Sequence, residues 1–243
     1  MSTNDALLLI GHGSARYPDA AGALLRHADE LRRQDRFAHV AVGLLNGAPP
    51  VAQALAEIGS GTIRVVPFFM EDGYFARVAV PEAVGNRHVT MCPPVGVHDG
   101  MAGLIERQAL AACCTWGIVS RQTAILIVGH GSARSPGRAL ALHRHSARVA
   151  ATELFGRVEC ACLEEPPFVA AALAGLRAHP VVVIGFFAGE GGHVRDDLPA
   201  LIAAEQAGRG DAGHAVRVDG SVSGDPAMTA IILDQASSDR TGG

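Results

Sequence analysis

Residues 6–18 read ALLLIGHGSARYP, and residues 124–136 read AILIVGHGSARSP. Each is a short apolar run closed by Gly-His-Gly-Ser, and the second follows the first at an offset of 118 (129 against 11). Fixed-period self-similarity is a statement about architecture, so the rest of the chain can be tested at the same spacing. Phe68-Phe69 falls on Phe186-Phe187, Arg77 on Arg195, and Pro81 on Pro199. One deletion away, Pro49-Pro50 falls on Pro166-Pro167, and VTMCPPVGVHDGMAGLIERQA (89–109) resembles VRVDGSVSGDPAMTAIILDQA (216–236) at a slightly larger offset. The chain is one α/β unit written twice.

Within each copy, short apolar runs rich in β-branched residues alternate with stretches of helical periodicity. Strands are expected at Ala6–Ile10, His39–Leu45, Thr62–Phe68 and His88–Cys92, and again at Ala124–Val128, Arg157–Leu163, Pro180–Phe186 and Ala215–Val218. Runs with little alternation suit strands buried on both faces. Ala20–Arg33 and Arg138–Leu154 carry helical apolar spacing, while Val51–Ile58 and Phe168–Ala178 follow the proline pairs, where proline suits a first helical turn. Strand–helix alternation implies two parallel four-stranded sheets, each with helices on both faces and right-handed crossovers. The expected lobes are residues 1–115 and 116–243, joined by a linker near Ala111–Gln122 and facing each other across a cleft.

Composition narrows the function. A net charge of −4 lacks the basic surface that broad nucleic-acid binding requires. The apolar runs are too short to span a membrane, and the N-terminus carries neither a basic region nor a small-residue cleavage site. A cytoplasmic protein with no nucleic-acid or membrane partner is expected. Its five cysteines (92, 113, 114, 160 and 162) are then reduced and structural, with Cys160 and Cys162 on one face of a strand.

In open parallel sheets, ligands bind beyond the carboxyl ends of the strands. Three chemically useful groups of the second copy belong there: His130 after the first strand, Glu164 and Glu165 after the second, and His193 in the loop after the third. Two neutral imidazoles with a carboxylate suit a divalent first-row metal and proton removal near neutrality. The first copy keeps His12, but the sequence match sets Gly47 and Ala48 against the two glutamates and Phe75, beside Tyr74, against His193. It therefore reads as a degenerate site, with Tyr74, Phe75 and Phe69 offering apolar contact to a flat ligand. Ser14 and Ser132 sit in turns leading into helices and are expected to cap them. His143 and His145 lie on a helix and are expected to face solvent.

The two GHGS turns, CLEEPPF (162–168) and GFFAGEGGHVRDDLP (185–199) together resemble the CbiX/SirB-type sirohydrochlorin chelatases, the ATP-independent class II enzymes. The resemblance covers essentially the whole chain. It implies two flavodoxin-like lobes around a tetrapyrrole, with insertion of cobalt or iron, or nickel, in cobalamin- or siroheme-type biosynthesis. By the same resemblance His130 and His193 hold the metal and Glu164 assists, Glu165 being the near alternative. Several two-lobed relatives use the N-terminal lobe, whereas here the full set lies in the C-terminal one. The cysteine- and histidine-rich tail of some members is missing, so no iron–sulfur cluster is expected, and no nucleotide.

A carboxylate-rich macrocycle calls for cationic partners, and Arg16, Arg134, Arg138 and Arg195 are placed for that. His12, Ser132, Arg134, Arg195, Tyr74 and Phe75 make up the expected substrate contacts. A chain with two lobes can work as a monomer or a homodimer. Two other readings use the same features. One is a non-catalytic carrier of tetrapyrrole or metal. The other is a phosphate-binding α/β protein, disfavoured because neither P-loop nor dinucleotide glycine spacing is present.

Overall fold

A computed structural model describes residues 5–133, 137–209 and 214–237, with the side chains of 193 and 209 excepted. The first copy contains β1 (Ala6–Gly11), α1 (Gly22–Arg33), β2 (His39–Leu44), α2 (Val51–Ile58), β3 (Ile63–Pro67), α3 (Val80–Val84), β4 (Val89–Met91) and α4 (Met101–Thr115). The second contains β5 (Ala124–Gly129), α5 (Leu140–Ala150), β6 (Arg157–Cys162), α6 (Val169–Gly175), β7 (Val181–Phe186), α7 (Leu198–Arg209), β8 (Val216–Ser221) and α8 (Met228–Ser237). A π-helical turn leads into α3 (Phe75–Ala79) and another into α7 (His193–Asp197).

The sheets are parallel throughout, in the orders β2-β1-β3-β4 and β6-β5-β7-β8. The central strands explain the unbroken apolar runs. Every residue of β1, β5 and β7 is buried, as helices on both faces require. Most strand bounds fall within a residue or two of the sequence expectation. Differences arise where apolar pattern outlasts the hydrogen-bond ladder. The helix expected over 138–154 covers only Leu140–Ala150, that over 168–178 stops at Gly175, and the connecting stretch begins at Trp116, because α4 runs to Thr115.

The repeats run in sequence, but the compact units interleave. One unit comprises residues 1–98, 188–190 and 226–243, and the other 99–187 and 191–225. These bounds differ from sequential halves at 115/116. Helix α8, last in the chain, packs in the first unit against β3 and α1. It buries Met228, Ile231 and Ile232, and Gln235 Nε2 donates to the Pro94 carbonyl at 2.6 Å. Helix α4 packs in the second unit against α5, β7 and β8, burying Met101, Leu104 and Ile105. Among the described residues, no helix is long and apolar enough to cross a membrane. All five cysteines are free thiols.

Candidate active site at the carboxyl edge of the second sheet

In a 2-1-3-4 strand order the chain reverses direction across the sheet between its two central strands, which is where loops part and a ligand fits. In the second unit this point lies between β5 and β7. His130 is the first residue beyond β5, Glu164 and Glu165 follow β6, and the loop after β7 leads to His193.

Backbone bonds fold the β6 loop against the His130 turn. Leu163 N–H donates to the Gly129 carbonyl at 3.1 Å and Glu164 N–H to the His130 carbonyl at 2.9 Å. That pairing brings Glu164 Oε2 to 3.7 Å from His130 Nδ1. The same Nδ1 lies 3.1 Å from the Gly131 carbonyl, an acceptor that suits the tautomer with its proton on Nδ1. That tautomer has its ring lone pair on Nε2. A carbonyl or carboxylate on one imidazole nitrogen, fixing the tautomer so that the other can coordinate, is the usual outer support of a metal-ligating histidine.

The two glutamates are in different environments. The Glu164 side chain is 38% exposed beside His130. Glu165 is only 3% exposed, turned under the turn that carries His130, and its Oε2 accepts from Gly137 N–H. The main chain of His193 opens the π-helical turn before α7, and Arg195 N–H donates to the Gly191 carbonyl at 3.1 Å. π-helical turns occur disproportionately at functional sites. The His193 side chain and Arg134 lie outside the described residues. Ser132 is half-buried in the His130 turn, and Arg138 and Arg195 are exposed. Among the described side chains, no group of three or more histidine, cysteine, aspartate or glutamate residues is placed to hold a metal. His130 and Glu164 are the two such groups that the fold brings together there.

The first unit repeats part of this arrangement. Its backbone bonds repeat at a constant offset of 118: Asn46 N–H to the His12 carbonyl matches Glu164 N–H to His130, and Leu44 N–H to Pro49 matches Cys162 N–H to Pro167. The structural partners of Glu164 and Glu165 are therefore Asn46 and Gly47, not Gly47 and Ala48. The adjacent proline pairs had pulled the sequence match one residue out of register. Phe75 does stand at the His193 position, each opening its π-helical turn. Its ring centroid is 4.7 Å from that of His12 and 5.7 Å from that of Phe69, to which it is nearly parallel. Tyr74 meets Phe75 edge-on at 5.6 Å and is 63% exposed. The Arg77 guanidinium pairs with Asp72 at 2.8 Å, and that of Arg16 lies 5.3 Å from the Tyr17 ring centroid.

Three expectations change. Ser14 Oγ accepts from Tyr17 N–H at 3.1 Å and does not cap α1, whose N-cap is Ala21; the N-cap of α5 is Ala139, not Ser132. An intervening stretch before each helix separates the serine from it. His145 is fully buried, its ring 5.8 Å from Phe186, because α5 turns that face to the sheet. His143 is exposed, yet its Nδ1 lies 3.2 Å from Cys160 Sγ. Burial pushes the Cys160 thiol up from its ordinary range.

Known proteins share this two-repeat architecture. The CbiX family model matches residues 6–112 and again 124–239. A probable sirohydrochlorin cobaltochelatase of Halobacterium salinarum is 24% identical over 95% of this chain and 90% of its own. The chelatase-like multi-domain protein DR2241 of Deinococcus radiodurans superposes with a TM-score of 0.82 at 24% identity, covering 99% of this chain. The chain spans only 56% of that protein's length. CbiX, the terminal enzyme of siroheme biosynthesis in denitrifying bacteria, superposes with a TM-score of 0.72 at 25% identity, over 96% of this chain and 98% of its own. With both repeats matched by one family model across nearly the whole chain, this protein belongs to the CbiX/SirB chelatase family.

Proposed function

We propose that this chain inserts a divalent metal into a tetrapyrrole without nucleotide hydrolysis, with sirohydrochlorin as substrate and cobalt or iron as the metal, nickel being a further ion that the donors suit. The reading places the working site in the second unit. It is carried by one observation: His130 Nδ1 stands 3.1 Å from the Gly131 carbonyl and 3.7 Å from Glu164, two acceptors that suit a proton on Nδ1 and leave Nε2 for a metal. One relative is described as a probable sirohydrochlorin cobaltochelatase and another as the terminal enzyme of siroheme biosynthesis, which supports the substrate class.

Insertion sets three demands: the metal must shed water, two pyrrole N–H protons must leave, and the ring must be held over the ion. Two neutral imidazoles, His130 and His193, bind a first-row ion while leaving most of its coordination shell to water that pyrrole nitrogens replace stepwise. Glu164 offsets the ion's charge and passes protons outward through its exposed side. Arg134, Arg138 and Arg195 pair with the substrate's carboxylates, and Ser132 offers a hydroxyl in the same turn. His12, Tyr74 and Phe75 supply further tetrapyrrole contact; Asn46 and Gly47 in place of two glutamates leave the first unit without the carboxylate partner.

A spectral insertion assay tests this. Purified protein receives metal-free sirohydrochlorin and then cobalt, iron or nickel, and loss of the metal-free absorption is followed. His130→Ala and His193→Ala are expected to remove nearly all activity, and His12→Ala to have a milder effect. Equal loss from His12→Ala would refute the assignment to the second unit. Tight tetrapyrrole binding without turnover for any of the three metals would identify a carrier instead.

A further inference from the structure

Glu165 does a different job from its neighbour, and the geometry points to it as the positioning residue of the His130 turn. This deepens the reading above and rests on it. The residue is 3% exposed, and a buried carboxylate is costly unless it is paired or hydrogen-bonded. Its Oε2 accepts from Gly137 N–H. Its stem lies under Gly131, where a Cβ would stand 2.7 Å from Glu165 Cγ and 3.1 Å from Oε1. One side chain thus touches both glycines that flank the GHGS segment's continuation, one of them adjacent to His130. Its second oxygen, Oε1, is buried with no hydrogen-bond partner among the described residues. In the first unit the structurally equivalent residue is Gly47, with no side chain to do this, in the copy that also lacks the second histidine.

We infer that Glu165 sets where the His130 imidazole stands, through an acceptor of fixed reach, while Glu164 meets the imidazole itself. The requirement on Glu165 is geometric, so an uncharged acceptor of equal length replaces it better than a shorter charged one. Glutamine keeps an oxygen at the distance of Gly137 N–H, whereas aspartate withdraws the carboxylate by one methylene from both glycines.

The test compares Glu165→Gln, Glu165→Asp and Glu165→Ala in the full-length chain. Cobalt affinity is read from the absorption of the protein-bound ion, and insertion is resolved into kcat and the KM values for metal and for sirohydrochlorin. Glu165→Ala is expected to weaken cobalt binding about 10–100-fold, as loss of an outer support does. The KM for sirohydrochlorin should stay near wild type, a split that general loss of structure would not produce. Glu165→Gln should recover cobalt affinity to within about fivefold, the worth of one ordinary hydrogen bond, with Glu165→Asp worse than Glu165→Gln. If Asp outperforms Gln, or Gln is as damaging as Ala, charge is what matters and the inference is overturned. Should the alanine chain fail to fold, the Gln–Asp order decides alone. A wild type that binds cobalt but inserts none sinks the proposed function, while the ranking of cobalt affinities still judges Glu165. A wild type that binds no cobalt sinks both.

Discussion

Replacing Gly131 with alanine should separate damage to the fold from damage to the site. Gly131 has φ +70°, and its repeat partner Gly13 has the same value. A side chain forced into left-handed backbone costs about 1–2 kcal/mol. The added Cβ would then lie 2.7 Å from both Cys162 Cβ and Glu165 Cγ. Overpacking of that kind costs about 1–3 kcal/mol more. A combined loss near 3 kcal/mol corresponds to a melting temperature lower by about 6–12 °C for a chain of this size. At Gly13 the Cβ would meet the Asn46 carbonyl oxygen at 2.3 Å, a backbone atom that cannot rotate aside, so Gly13→Ala is at least as destabilising. The two differ in what stands beside them. Gly131 adjoins His130 and lies over Glu165, so its displacement moves the imidazole proposed to hold the metal, and misplacement by about 1 Å costs on the order of 100-fold in rate. Calorimetry gives the stability of each variant, and the insertion assay is run at 20 °C, where both remain folded. Gly131→Ala should lose cobalt insertion about 10–100-fold, and Gly13→Ala far less. Equal losses of insertion from the two, or an unchanged melting temperature for Gly131→Ala, would refute the reasoning.

Glu164→Gln should leave stability within about 1 kcal/mol of wild type, since both it and His130 are more than a third exposed and water screens the pair; the same change should weaken metal affinity about 10-fold or more, measured by cobalt titration. Removing residues 226–243 should unfold the first unit while the second keeps its structure, because Met228, Ile231 and Ile232 each contribute about 1.5–3 kcal/mol of burial, a sum comparable to a domain's whole stability. Limited proteolysis would read this out, and cleavage confined to 99–187 would contradict it. Stability should decline as pH rises above about 9, because burial raises the thiols of Cys113 and Cys160 in the folded state. Such groups stabilise fully below the unfolded pKa, and that contribution disappears through the folded one. Urea midpoints across pH 8–11 would show it, and a double replacement of both cysteines by alanine should flatten the slope.

Much of the fold was legible because its signals are local. The apolar runs that became β1, β5 and β7 are buried along their whole length, and a strand needs nothing but its neighbours to declare that pattern. The strand ends placed His130 and Glu164 at one edge, and the fold brought them within 3.7 Å. The register of the first copy's lost residues was not legible. Adjacent prolines offer two alignments of equal appearance, and only the hydrogen bonds from Asn46 to His12 and from Glu164 to His130 choose between them. The burial of His145 was missed for a related reason, since a helix of mixed periodicity does not say which of two histidines two positions apart faces the sheet.

Composition, repeat and strand–helix rhythm were enough to establish a duplicated parallel α/β architecture and to gather its candidate donors at one sheet edge, because those properties follow from residues close in sequence. Which helix covers which sheet was decided only in three dimensions. Helices α4 and α8 carry apolar faces that would suit either sheet, and burial is non-directional, so the packing of α8 with β3 and of α4 with β7 and β8 depends on connections and shapes that no local pattern records. The separation of two adjacent glutamates into one beside the imidazole and one beneath its turn is likewise a tertiary outcome, set by a loop whose main chain is pinned to His130.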